Sequence, residues 1–121
     1  MAKIFHVLPY ENWMDIKNSN SPAISPESLK HEGFIHCCKA DQLFGVIERF
    51  FGRDLKLIIL RINESRLDKD VVYEAPIEAP HSGLLFPHYY GEIPVESIER
   101  SFFIKRKTLE DTFDLPEHLL K

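Results

Sequence analysis

Leu55-Lys56-Leu57-Ile58-Ile59-Leu60-Arg61-Ile62 is almost unbroken aliphatic sequence. A strand with one face in solvent alternates apolar and polar residues, so this run predicts a central strand covered on both faces. Such a strand needs an apolar layer on each side. Upstream, Leu43, Val46, Ile47, Phe50 and Phe51 recur at i, i+3, i+4, i+7 and i+8 and define one face of a helix from about 39 to 51, ended by Gly52. Further strands are expected from Lys3 to Leu8, stopped by Pro9, from Val71 to Glu74, cut off by Pro76, and from Ile98 to Ile104. Gly33 is read as opening a short strand from Phe34 to Cys37. Residues from about 11 to 17 suit a short helix with Trp13 and Ile16 inward. Asn18 to Pro26 reads as an exposed loop, 63 to 67 as a turn, and Leu119 and Leu120 as a docking turn in the tail. The order of these elements predicts an α+β fold with one main helix.

A chain of 121 residues with 44% hydrophobic and 28% charged residues is expected to form a single packed domain. Its formal charge of -4 argues against a protein that grips duplex nucleic acid through phosphates, which requires a clustered basic surface. The richest basic stretch, Lys105-Arg106-Lys107, reads as a solvated strand end. No apolar run approaches the roughly 18 to 20 residues that span a bilayer, and the N-terminus lacks a secretion pattern, so a cytoplasmic protein is expected. Cys37 and Cys38 are the only cysteines and are sequence neighbours, which excludes a stabilising disulfide framework and fits a reducing compartment.

Chemistry concentrates in two segments, Glu32-Gly33-Phe34-Ile35-His36-Cys37-Cys38 and Phe86-Pro87-His88-Tyr89-Tyr90-Gly91, with Tyr73-Glu74 between them. Each sets titratable or hydrogen-bonding groups among apolar, Gly or Pro residues. That placement costs free energy unless a partner, ligand or reaction uses the group. His36 lies between Ile35 and Cys37 on a strand and points away from both. Glu74 closes a strand at a Pro break, and Pro87 holds His88 on stiff backbone. Tyr89 and Tyr90 must alternate in direction, one inward and one outward. Residues 75 to 91, rich in Pro, Gly, His and Tyr, read as a long functional loop. Cys37 reads as a small buried hydrophobe. Cys38 stands at the N-cap position of the main helix, where a lowered thiol pKa is one reading. The histidines and cysteines show no metal-ligand spacing, and no Gly-rich phosphate loop or nucleophile elbow is present.

The series Glu-Gly-Phe-Ile-His-Cys at 32 to 37, Gln42 on the following helix, the aliphatic strand, Tyr73-Glu74 and Phe-Pro-His-Tyr-Tyr-Gly at 86 to 91 resembles the uncharacterised bacterial family catalogued as domain of unknown function nine-five-two. The match spans about residues 3 to 104 and leaves 105 to 121 as a tail. The family usually has serine where this chain has Cys38. The family is grouped with ADP-ribosyltransferase-like folds, which implies an α+β domain with small, bent, mixed or antiparallel sheets around a nucleotide-sized cleft.

By that resemblance NAD or a related ribosyl nucleotide is the implied small-molecule ligand. His36, Glu74 and His88 become the candidate catalytic residues, and His6, Cys38, Gln42, Tyr73 and Tyr90 the candidate ligand-binding ones, with no metal. Cleaving the nicotinamide bond builds positive charge on ribose, which a fixed carboxylate such as Glu74 would stabilise. Two readings of the same residues stay open: a non-catalytic pocket for a small metabolite, and a polar cluster that only buttresses the sheet. No protein partner can be named from these residues.

Overall fold

The computed structural model describes residues 3–120. Strand β1 (Lys3–Pro9) leads into helix α1 (Tyr10–Asn18), followed by β2 (Ala23–Ile24), α2 (Glu27–Glu32) and β3 (Ile35–His36). A 3₁₀ turn at Ala40–Gln42 opens α3 (Leu43–Phe50), then come β4 (Lys56–Asn63), β5 (Val71–Glu74), β6 (Phe86–Tyr89), β7 (Ile93–Pro94) and β8 (Ile98–Lys105). These strands form a central sheet in the order β1-β4-β8, a second sheet β3-β6-β5 and a small pair β2-β7, all antiparallel. The fold is thus a small α+β domain. Among the described residues no helix is long and apolar enough to cross a membrane.

The aliphatic run is the middle strand of the central sheet, and Leu57 to Ile62 are buried without a break. Alternation sorts its side chains into two cores. Ile4, Leu8, Ile58, Leu60 and Ile62 meet Trp13 of α1 and Ile35, Cys37 and Tyr89 from the second sheet. Phe5, Val7, Leu57 and Ile59 meet Leu43 and Ile47 of α3 and Phe113 of the tail. At about 25 cal/mol per Å² of apolar surface removed from water, these two layers dominate stability. Glu99 is the extra residue of a bulge in β8, between the pairs Arg61–Arg100 and Ile62–Ile98.

Several expectations need correction. There is no single main helix: α1 has nine residues and α3 eight. Gly33 does not open a strand. It ends α2 at φ +85, donating its N–H to the Leu29 carbonyl, a left-handed helix stop that favours glycine. The predicted loop from 18 to 26 contains β2, whose Ile24 is buried against Ile93 of β7. The predicted loop from 75 to 91 contains β6, the middle strand of the second sheet, so irregular chain is reduced to 75–85 and a short bend at 90–91. In the tail Leu119 docks as expected while Leu120 stays exposed, as does Leu109, and the buried anchor is Phe113 with Leu115 beside it. Arg106 is not a solvated charge. It donates to the carbonyls of Phe51, Gly52, Asp54 and Asp111 and lies over the Phe113 ring at 4.5 Å.

Candidate functional site

The two three-stranded sheets join at one point. The chain leaving β3 pairs first with β6, where Cys37 N–H donates to the Pro87 carbonyl. It then switches sheets: Cys38 and Phe5 exchange both backbone hydrogen bonds, at 2.8 Å each. Where one strand serves two sheets the sheets splay apart, and a cleft of about 250 Å³ opens in the fork. Its polar wall is His6, His36 and His88, with Ser28 and Glu78, and its apolar wall includes Val46, Phe50, Phe51 and Phe86.

Period-two alternation decides which candidates meet. In the second sheet His36 pairs with His88, Val72 with His88 and Glu74 with Phe86, so the even-numbered positions share one face. Phe34 and Tyr90 continue that face beyond the strand ends. Phe34 stacks on His88 with ring centroids 4.1 Å apart and an interplanar angle of 19°, and touches His36 and Tyr90 at 4.8 and 5.2 Å. The odd-numbered positions Ile35 and Tyr89 enter the core instead. Tyr89 is buried and Tyr90 is exposed, as alternation requires.

Glu74 Oε1 accepts from His88 Nδ1–H at 2.9 Å and from the Tyr90 hydroxyl. These two hydrogen bonds, with Tyr90 the larger contribution, hold its carboxyl below the usual carboxylate range, and the same contact raises the Tyr90 phenol. An ionised carboxylate only accepts, so His88 Nδ1 must carry a proton. Its Nε2 has no protein partner among the described residues and is not sealed from solvent. A buried histidine fixed in this way presents Nε2 to the cleft it lines.

His6 repeats the pattern from the other sheet. Its Nδ1 faces the His36 carbonyl at 2.8 Å, and a carbonyl only accepts, so Nδ1–H donates. Burial lowers its pKa. The ring is therefore neutral at pH 7, with a lone pair on Nε2. His36 itself is half exposed and its Nε2 lies 2.9 Å from Glu32, the last residue of α2.

The remaining candidates fall elsewhere. Tyr73 occupies an odd-numbered position, so its hydroxyl turns to the Glu64 carboxylate at 3.1 Å, and burial and that partner push its phenol up to about 12. Gln42 does not line the cleft. Its side chain accepts from Lys39 N–H and donates to the Leu85 carbonyl, both at 2.9 Å, which closes the start of α3 and ties down the 75–85 loop. Cys38 lines the cleft but is no N-cap and no activated thiol. Its backbone is spent on the bridge to Phe5, Lys39 takes the cap position, and burial with the nearby Asp41 charge pushes the thiol up to about 12. Burial raises the Cys37 thiol as well. Among the described residues no group of three or more His, Cys, Asp or Glu is placed to hold a metal ion.

Sequence reasoning missed Phe34, Glu32 and the α3 wall of Val46, Phe50 and Phe51. The signal for Phe34 was available, since 34 and 36 share a parity on one strand just as 86, 88 and 90 do on the other.

Residues 7–101 match the family described as protein of unknown function (DUF952). The chain belongs to this family. Its fold is also that of protein CC0527 from Caulobacter crescentus. That protein's crystal structure has a TM-score of 0.77 at 24% identity over 97% of each chain, and its solution NMR structure 0.66 at 24% over 88% of each. Identity at this level speaks to fold alone. No curated protein matches.

Proposed function

We propose that this chain is an ADP-ribosyltransferase-like domain that binds NAD or a related ribosyl nucleotide, with a planar base entering the cleft at the fork of the two sheets. The observation that carries this reading is the pairing of aromatic walls with two histidine Nε2 atoms that have no protein partner, on His6 and His88. Flat rings with polar edges suit such a cleft, because stacking supplies area and the nitrogens accept from hydroxyl groups. At about 250 Å³ the cleft takes a base with part of its sugar. A neighbouring hollow of about 520 Å³ shares Val46, Phe50 and Phe86 with it and is lined by Lys39 and Arg49, charges suited to phosphates, beside Asp41.

Glu74 stands behind His88 rather than on the cleft wall. In the enzymatic form of the reading it acts through His88, holding Nδ1 protonated so that Nε2 orients a ribose hydroxyl. The same placement favours a second reading, a binding module without turnover, because the carboxylate already has two donors and no direct view of the cleft.

Calorimetric titration with NAD and with ADP-ribose, with nicotinamide assayed in the same samples, tests both. Saturable binding weakened at least about tenfold in His36→Ala and Phe50→Ala, both partly exposed, supports the cleft. Nicotinamide release separates enzyme from module. Absence of binding by either ligand to folded wild type would remove the nucleotide from the proposal.

A further inference from the structure

Two imidazoles meet on the uncovered face of the second sheet, and each is backed by its own carboxylate. His36 and His88 pair across β3 and β6, with ring centroids 5.4 Å apart and planes at 78°. Glu32 lies 2.9 Å from His36 Nε2, and Glu74 lies 2.9 Å from His88 Nδ1. A carboxylate only accepts, so each contact fixes a proton on the nitrogen that faces it. The other two nitrogens, His36 Nδ1 and His88 Nε2, have no protein partner among the described residues. Phe34 touches both rings and stacks on His88, which holds them in place. The rings differ in their access to water: the His88 side chain is 3% exposed and that of His36 47%. A positive charge on His36 is hydrated and meets Glu32, which suits it to be an acid. His88 offers a lone pair on Nε2, with Glu74 behind it to offset the charge that a captured proton brings, which suits it to be a base. His6 of β1, Tyr90 on Glu74, and Glu78 of the 75–85 segment are the other titratable groups around the pair. Both rings line the cleft.

We propose that His36 and His88 form an acid–base pair that cleaves the 3′-phosphodiester of a ribonucleotide in this cleft. The proposal rests on the reading that a planar base enters the cleft, but not on NAD or on nicotinamide release. An acid and a base held side by side move a proton from an attacking oxygen to a departing one. His88 Nε2 takes the proton of the ribose 2′-hydroxyl and the 2′-oxygen bonds to phosphorus. The bond from phosphorus to the 5′-oxygen breaks, and that oxygen leaves with the proton from His36 Nδ1. The products are a 2′,3′-cyclic phosphate and a 5′-hydroxyl end, and no other reactant is consumed. One water then opens the cyclic phosphate with the two roles exchanged, which returns both protons to their starting rings. Ribose is selected over deoxyribose because its 2′-hydroxyl is the nucleophile. Lys39 and Arg49 in the adjoining hollow suit the neighbouring phosphate of a single strand.

The test incubates the intact chain with a mixed-sequence hexaribonucleotide, with its 2′-deoxy counterpart, and with the same ribose strand carrying sulfur for the 5′-bridging oxygen at one linkage. That thiolate leaves without needing a proton. Wild type is expected to cleave the ribose strand to 2′,3′-cyclic phosphate ends and to leave the deoxy strand intact. His36→Ala, a change at a half-exposed ring, should slow cleavage of the oxygen linkage by about a hundredfold or more and of the sulfur linkage by about tenfold or less. His88→Gln should slow both alike, with its fold checked by circular dichroism; wild type and His36→Ala decide the matter if that variant does not fold. An intact ribose strand after incubation with folded wild type, cleavage of the deoxy strand, or equal losses in His36→Ala on the two linkages would overturn the proposal. NAD has no 3′-phosphodiester, so NAD binding without strand cleavage defeats this proposal alone, and cleavage without NAD binding defeats only the other.

Discussion

The central sheet and the second sheet have the same number of strands and the same antiparallel pairing, yet only one of them exposes chemistry. In the central sheet both parities are claimed, one by α1 and the second sheet, the other by α3 and the tail. In the second sheet only the odd parity is claimed by the core. The even parity is left to Phe34, His36, Glu74, His88 and Tyr90, of which Glu74 takes hydrogen bonds from His88 and Tyr90 while His36 pairs with Glu32. The difference teaches that alternation is the common rule and coverage decides its use: a face with no second layer against it is where titratable groups can be held at low cost.

Truncation should break this comparison most sharply. Ile59→Ala, fully buried in β4, is expected to cost about 3 to 4 kcal/mol, because a cavity remains where neither layer can collapse. Val72→Ala lies on the uncovered parity opposite His88 and should cost no more than about 0.5 kcal/mol. Chemical denaturation of the two variants measures both; equal losses would mean that the second sheet is covered as well. Next in size comes Arg106→Ala at the end of the central sheet, expected to cost about 2 kcal/mol by releasing the carbonyls of Phe51, Gly52, Asp54 and Asp111 and uncovering Phe113. A loss within a few tenths of a kcal/mol would return Arg106 to the role of an exposed charge.

Coverage also explains what could be read without a structure. The doubly covered strand declared itself because five of its six consecutive buried positions, all but Arg61, are apolar, and the α3 face because its period is unmistakable. β2 and β7 have two residues each, too few for any period, and β6 begins Phe-Pro, which reads as loop until its middle place in a sheet is known. α2 is five polar residues around Leu29, its inward apolar anchor, although Pro26 before it and Gly33 after it were the available boundary signal. Within the site, the company of His36, Glu74, His88 and Tyr90 was legible as motif. The separation of Tyr73 was legible as parity, since it stands one residue from Glu74 on the same strand. The place of His6 was not, because it depends on Cys38 crossing from one sheet to the other, a tertiary event with no local sequence sign.

His6 lies on the boundary between the regions and supplies a smaller, pH-dependent test. Burial lowers its folded pKa below the 6.5 of an ordinary histidine, so the unfolded chain takes up a proton that the folded chain resists. Stability from this residue is present above pH 6.5 and is lost as pH falls below it, with a slope of at most about 1.4 kcal/mol per pH unit. His6→Gln should flatten the denaturation midpoint between pH 6.5 and 5. An unchanged slope would mean that the ring is protonated without penalty, and would take the Nε2 lone pair out of the cleft.

The smallest effect separates the two carboxylates that serve the sheets. Glu99, in the central sheet, holds Lys3 and the buried Arg61, with Arg61 Nε at 3.2 Å; Glu74 holds Tyr90 and His88. Both have lowered pKa values, so both add stability above the ordinary carboxylate range and lose it as pH falls through the folded value. Their removal is not equivalent at neutral pH. Glu99→Gln leaves a buried guanidinium without that counter-charge, whereas about a third of the Glu74 side chain lies in solvent, which screens its loss. Glu74→Gln should therefore cost less than about 1 kcal/mol at pH 7, less than Glu99→Gln, while flattening the acid limb of the stability curve below about pH 4.5. If Glu74→Gln proved the more damaging, the Glu74–His88–Tyr90 cluster would be a buttress of the second sheet. If it left stability almost intact but abolished the ligand response of His88, the uncovered face would be serving the cleft.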